Sequence, residues 1–254
     1  MVSISSLGSE SIDFDLPFFL SNEEFITDKI KKRVVSAISR VEYDEARDMI
    51  AEIENKKHFG DKDKMGKLFI LSSKAAIAPN REEELKLIYE ALNISLPRFD
   101  ESKIPKYYLS FDEIQLINRL GGYCYDGGNF RKAAFIFEAL IQNMDSHYVD
   151  EYEKMRMYIP LLCNYANSIL ELNCLDEALE ISDKGWRLEL KHKLFDCLPR
   201  FAGLKAEVYF KNGEKEKSMP YLALAYYSSK LFGLEIQTEI FRKAAKDSYE
   251  IDFS

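Results

Sequence analysis

The stretch that decides the fold runs from residue 114 to residue 141. Its centre reads Leu120-Gly121, then Gly127-Gly128-Asn129, then Phe130-Arg131-Lys132-Ala133-Ala134-Phe135-Ile136-Phe137. Phe130, Ala133, Ala134, Phe137, Leu140 and Ile141 recur at the spacing of one face of an α-helix, so that face must be buried. Ile114, Ile117, Leu120 and Cys124 repeat the spacing just upstream. Between the two lies Gly127-Gly128-Asn129, a run suited to closing one helix with a left-handed residue immediately before the next begins. Two helices joined by a tight turn are therefore expected.

The same reading extends outward. Ile30, Val34, Ala37, Ile38 and Val41 have helical spacing, as do Tyr43, Ala46, Ile50 and Ile53, and Leu85, Ile88 and Leu92. Met155, Tyr158, Ile159, Leu162, Tyr165, Ile169 and Leu172 form another such face. Ser21 with Glu24, Asn80 with Glu83 and Ser110 with Glu113 each put a capping side chain three residues before an acid, which predicts three helix starts. Asn173 and Asn212-Gly213 mark further stops. Pro199 suits the first turn of a helix. Pro160 falls inside a periodic stretch, where a helix either begins or kinks, and Pro220 poses the same choice. Only residues 1–20 and Ser95 to Leu109, with Pro97 and Pro105, read as non-helical. The chain is thus all-α, with an N-terminal extension over 1–20 and a helical domain over 21–254.

A turn followed by a helix with a small residue early in it returns several times. Leu120-Gly121 with Gly128-Asn129-Phe130-x-x-Ala133 is the sharpest copy, and together these match the tetratricopeptide pattern of small and aromatic residues. Tyr165-Ala166 before Asn173 and Ala178 is a second copy; Lys205-Ala206 and Tyr209 before Gly213, Ser218 and Leu222 form a third. Weaker copies centre on Ala46 and Leu85. Gly121, Ala133, Ala166, Ala178 and Ala206 let the two helices of a pair approach, while large residues fill the gap to the next pair. The markers Ala46, Leu85, Ala133, Ala178 and Ser218 lie 39, 48, 45 and 40 residues apart. An ordinary unit repeats every ~34 residues, so these units are degenerate and have longer helices.

Composition narrows the function. The 35 basic and 43 acidic side chains give a net charge of −8, which argues against a nucleic-acid grip by this chain itself. Apolar residues at 46% and charged residues at 31% suit a folded, water-soluble protein. No apolar run approaches the ~20 residues of a membrane span, and no secretory signal opens the sequence, so a cytoplasmic location is expected. Cys124, Cys163, Cys174 and Cys197 are widely spaced and read as reduced core or near-core thiols. His58, His147 and His192 are isolated surface histidines without metal-ligand spacing. No phosphate-binding glycine loop or nucleophile elbow is present. No cofactor is expected, and an enzyme on a helical fold is the minority reading.

Tyr108-Leu109-Ser110-Phe111-Asp112-Glu113-Ile114-Gln115-Leu116-Ile117-Asn118, followed by Gly128 to Ala133, resembles the sensor half of Rgg-like regulators, members of the RRNPP peptide-pheromone receptors of Gram-positive bacteria. Tyr43-Asp44-Glu45-Ala46 and Ala91-Leu92-x-x-Ser95-Leu96-Pro97-x-Phe99 look similar to the same class. The resemblance covers roughly residues 20 to 250. It implies a right-handed superhelix of about five degenerate tetratricopeptide-like helix pairs. It further implies a short signalling peptide held in the concave groove, homodimerisation, and a helix-turn-helix domain that residues 1–20 are too short to supply. The chain is then a stand-alone sensor or a piece of a longer regulator. The aromatic-rich C-terminal region, with Tyr221, Tyr226, Tyr227, Phe232 and Phe241, is the candidate for self-association.

In a tetratricopeptide array the first helix of each pair lines the concave face. Counting back from Ala133 gives Gln115, Asn118 and Tyr125. From Ala178 the count gives Asn167 and Glu171, with Asn164 one register step away, and from Ser218 it gives Arg200, Glu207 and Lys211. Amides can donate to and accept from a peptide backbone at once, and Arg200 or Lys211 can hold a carboxylate. Asn118 and Asn167 match the groove asparagines that the resemblance implies. A scaffold docking a protein partner in the same groove is the alternative.

Overall fold

The computed structural model describes residues 22–54, 64–147 and 151–253, which form two compact units divided between Ile77 and Ala78. The expected extension over 1–20, the Ser21 cap and His58 lie outside the described residues.

The first unit holds α1 (Asn22–Ser39), α2 (Tyr43–Glu54) and α3 (Lys64–Ala76), each touching the other two. Their shared core is Val34, Ala37, Ala46, Met49, Ile50, Ile53, Ile70 and Ile77. Val41 turns the chain from α1 to α2 at φ 64°, which lets Glu42 N–H reach back to Ala37 O at 2.9 Å. A β-branched residue is an uncommon occupant of that left-handed conformation.

The second unit runs α4 (Arg81–Ser95), a 3-10 turn (Glu101–Lys106), α5 (Phe111–Asp126), α6 (Phe130–His147), α7 (Glu151–Glu171), α8 (Leu175–His192), α9 (Leu198–Lys211), α10 (Lys215–Leu231) and α11 (Glu235–Tyr249). Every helix there packs on its neighbour in sequence, and α5 also touches α7 while α7 touches α9. Contacts that skip a helix place the first helices of successive pairs side by side, so α5, α7 and α9 share one face. This is a tetratricopeptide-like array of degenerate helix pairs, and no strand occurs among the described residues.

Local signals explain the boundaries. Ser110 and Glu113 cap each other in both directions, with Ser110 N–H on Glu113 Oε2 at 2.7 Å and Glu113 N–H on Ser110 Oγ at 3.3 Å. Asn80 Oδ1 accepts from Glu83 N–H at 2.9 Å. The α5–α6, α7–α8 and α9–α10 turns share one geometry, with Gly128, Asn173 and Gly213 at φ 75°, 62° and 78°. In each, the next N–H returns to a carbonyl five residues back: Asn129 to Cys124, Cys174 to Ile169, Glu214 to Tyr209.

Pro199 sits in the first turn of α9, whereas Pro160 and Pro220 are inside α7 and α10. Tertiary packing carries both helices through their missing donor. Ser95 to Leu109 is not wholly irregular, because the 3-10 turn occupies its middle. Buried Asn143 of α6 donates to Ile104 O at 2.8 Å and Tyr107 O at 2.7 Å, a pairing 36 and more residues apart that no local pattern announces.

The small residues do what their spacing predicts. Ala133, Ala166, Ala178 and Ala206 are buried, and a methyl added to Gly121 would lie 2.5 Å from the Phe137 ring. A methyl added to Gly185 of α8 would run into the Phe201 ring of α9, a close approach between successive pairs that the repeat markers did not include. Among the described residues, no helix is long and apolar enough to cross a membrane. Cys124, Cys163 and Cys197 are buried thiols, while Cys174 is exposed at the start of α8. His147 and His192 are half-buried at the ends of α6 and α8, where the His147 Nδ1 lies 3.0 Å from Asn143 O.

Candidate peptide-binding groove

The face shared by α5, α7 and α9 carries two rows of polar side chains. The first is Asn118, Asn164 and Arg200, one from each helix. Asn164 Nδ2 donates to Asn118 Oδ1 at 2.9 Å, and Arg200 Nη2 donates to Asn164 Oδ1 at 2.6 Å. The second row is Tyr125, Glu171 and Glu207, in which Tyr125 OH faces Glu171 Oε1 at 3.5 Å. Both rows step by the same 46 and 36 residues, so they mark equivalent positions in successive pairs. Asn164 is therefore the true counterpart of Asn118. Asn167 stands instead one helical turn along, where α5 and α9 carry Gly121 and Gly203.

Tyr125, Asn164, Asn167 and Arg200 line a cavity of about 230 Å³ together with Gly122, Asp126 and Phe137. Asn167 is half-committed, since its Nδ2 donates to Cys163 O at 3.0 Å. Glu207 and Lys211 pair with each other at 2.9 Å and line a second, more apolar cavity of about 360 Å³ between α9 and α11. Phe210, Leu222, Ile240, Phe241 and Tyr249 supply its walls. Gln115, exposed on the second turn of α5, lines neither cavity. Of these walls, Leu222 is a repeat position and Phe241 a self-association candidate in the sequence, whereas Phe210, Ile240 and Tyr249 follow from no repeat marker.

Arg200 dominates the electrostatics. The Cys163 sulfur, then Cys197, Tyr125 and Glu189, hold its guanidinium above the usual arginine range although burial opposes the charge. No carboxylate lies within ion-pair distance of it among the described residues, and its one hydrogen bond goes to a neutral amide. Four of its five N–H donors thus make no hydrogen bond to the described residues. Burial, with Glu171 and Glu207 nearby, pushes the Tyr125 phenol up to about 12, so it stays neutral and able to donate. Behind the row, burial pushes the Glu189 carboxyl up to about 8, while its Oε1 accepts from Cys197 N–H at 2.7 Å.

Of the five C-terminal aromatics, Tyr226 is core: it stacks on Phe253 at 4.8 Å and donates to its carbonyl at 3.1 Å. Tyr221 stacks on Tyr209, and Phe241 packs toward Gly203. Only Tyr227 and Phe232 are exposed. No group of three or more histidines, cysteines or acids able to hold a metal occurs among the described residues.

The fold is that of a tetratricopeptide-like helical array with a polar inner face. Neither protein-family profiles nor curated protein sequences match the chain. Among solved structures it is similar to Bacillus thuringiensis PlcR, crystallised in complex with the peptide PapR7 and DNA. That likeness has a TM-score of 0.69 at 11% identity, and covers 88% of this chain and 76% of PlcR. It is also similar to a Podospora anserina putative kinesin light chain with nearly identical TPR-like repeats, with a TM-score of 0.50 at 11% identity, over 80% of this chain and 95% of that one. The degenerate tetratricopeptide-like repeat fold expected from the sequence is thus the observed fold.

Proposed function

We propose that this chain is a peptide-sensing regulatory domain of a quorum-sensing-type transcriptional regulator. In this reading a short peptide lies across α5, α7 and α9. Asn118, Asn164 and Asn167 bond its backbone, Arg200 takes a carboxylate, and the cavity between α9 and α11 takes an apolar side chain. The observation that carries it is Arg200, a half-buried cation with no carboxylate at ion-pair distance among the described residues, at the edge of a cavity lined by amides. A half-buried guanidinium with donors to spare is suited to a ligand carboxylate. The fold of PlcR, a protein crystallised with a peptide, supports the same reading. The chain acts as a homodimer in the cytoplasm, without catalysis and without gripping DNA itself, in keeping with its charge of −8. Peptide bound across several pairs favours one curvature of the array and shifts its population.

Isothermal calorimetry with short apolar peptides bearing a free C-terminal carboxylate tests this. Heat that vanishes in Arg200→Ala supports it; no heat across a peptide library rejects it. A scaffold that docks a protein partner is the second reading. Ile236 and Ile240, exposed to 72% and 58% on α11, favour it as an anchor for a larger surface. A pull-down complex unaffected by excess short peptide would select it.

A further inference from the structure

A further cavity, of about 370 Å³, opens between α4 and the α5–α6 turn and shares no lining residue with the two cavities described above. Its apolar lining is Leu120, fully buried, and Leu85, half-buried. Tyr89 of α4 and Tyr123 of α5 add two aromatic rings, and two cations, Arg81 and Lys132, complete the set.

Arg81 is held in place by the groups around it. Its guanidinium carbon lies over the Tyr123 ring, 4.2 Å from the centroid, and Nη2 donates to Tyr123 O at 2.5 Å. Gly127 leaves room for this seat, since a methyl there would come within 2.6 Å of Nη2. No carboxylate lies within ion-pair distance of Arg81 among the described residues, and its one hydrogen bond leaves four N–H donors unused. The carboxylates of this region are engaged elsewhere. Glu84 pairs with Arg119 at 3.8 Å, while Glu101 takes Lys132 at 2.9 Å and the Tyr89 hydroxyl at 2.7 Å. Neither lines the cavity. Arg81 and Lys132 against Glu101 thus leave one positive charge there.

We propose that this cavity binds a small aromatic carboxylate, with the carboxylate on Arg81 and the ring against Leu85, Leu120 and Tyr89. The site is additional to the peptide groove and does not rest on the peptide reading. A guanidinium already laid flat on a ring presents its fork without further ordering, and a carboxylate is the planar anion that fits such a fork. A single charge suits the site, because a second would meet Glu101 beside Lys132. The apolar lining and the tyrosines select a ring over inorganic phosphate or acetate, which would leave them unmatched. The volume sets the size: ligand pockets run from roughly 300 to 1,000 Å³, and this one stands near the lower end. Since α4 and α5 are successive helices that pack on each other, a ligand touching both should also stabilise the array.

The test is calorimetry of the full chain with 1-naphthoate, and with 1-naphthamide as the same ring without the charge. One naphthoate per chain is expected, with the amide binding roughly tenfold or more weakly, the worth of a charge-assisted hydrogen bond. Arg81→Gln should weaken the acid by a similar factor and leave the amide unchanged, whereas Arg200→Ala should bind naphthoate as the wild type does. Naphthoate should raise the melting midpoint of the wild type and not that of Arg81→Gln. Arg81 is exposed, so the variant should keep its fold, and the comparison of acid with amide on the wild type needs no variant. Absence of saturable heat at millimolar naphthoate overturns the proposal. So do equal affinities for acid and amide, or a loss of binding in Arg200→Ala instead of Arg81→Gln. Failure here leaves the groove reading standing, and failed peptide calorimetry leaves this site standing.

Discussion

Arg200 on α9 donates to the side-chain carbonyl of Asn164 on α7 at 2.6 Å, and Asn164 passes the contact on to Asn118 of α5 at 2.9 Å. Three helix pairs are thereby joined through one line of side chains. The amides are held in fixed orientations, which would lower the ordering cost of the proposed peptide binding. The guanidinium is fixed by this one bond, which leaves the rest of its fork for the carboxylate of the proposed peptide.

Arg200→Lys and Arg200→Ala should each weaken binding of a carboxylate-terminated peptide by roughly ten- to hundredfold, the worth of a charged hydrogen bond. The C-terminal amide of the same peptide should bind the wild type as weakly as the free acid binds Arg200→Ala. Equal calorimetric affinities for acid and amide would remove Arg200 from the ligand contact.

Gly121→Ala places a methyl 2.5 Å from the Phe137 ring, inside any tolerable contact. The variant should lose about 1–3 kcal/mol in urea unfolding, the usual cost of overpacking. Combining it with Phe137→Leu should recover part of that loss. Additive losses in the double variant would show that the two sites do not share the strain.

Ser110→Ala removes one half of the reciprocal cap on α5 and should cost about 1 kcal/mol. Glu113→Gln keeps the geometry and should cost less. Urea midpoints of the two variants check the order.

Glu189 should make the chain less stable as pH rises. Its folded-state pKa of about 8 lies above the ordinary glutamate value, so the folded form holds a proton that the unfolded form gives up. The contribution is complete below the unfolded pKa, near ~4.3, and is lost as pH climbs from there through about 8. Unfolding free energies measured from pH 4 to pH 8 should fall less steeply in Glu189→Gln. Parallel slopes in wild type and variant would place the titration elsewhere.

Light scattering at micromolar concentration should give twice the chain mass of 29.5 kDa, as the proposed homodimer requires. A monomeric mass that persists with peptide added would exclude self-association as part of the response.

Much of the architecture was legible because it is local. A capping box needs only Ser110 and Glu113, and a left-handed turn needs only Gly128, Asn173 or Gly213. Burial of Ala133, Ala166 and Ala178 follows from their periodicity. The 3-10 turn at Glu101–Lys106 was not legible, because Asn143 holds it from another helix. Six of the nine groove residues fall in the two equivalent rows, yet their order shifted: Asn164, a neighbour on counting, is the central residue, while Gln115 lines neither cavity. Counting from a marker fixes position to within about a residue, whereas a helix face turns by some 100° per residue.

By itself the sequence determined the helices, their turns and the small-residue seams, since those depend on contacts three or four residues apart or on a single backbone conformation. Only the tertiary structure decided which amides are consumed by neighbours and which half-buried cation stands without a carboxylate beside it among the described residues. Those facts depend on side chains 36 to 46 residues apart in sequence, brought together by packing that no local period encodes.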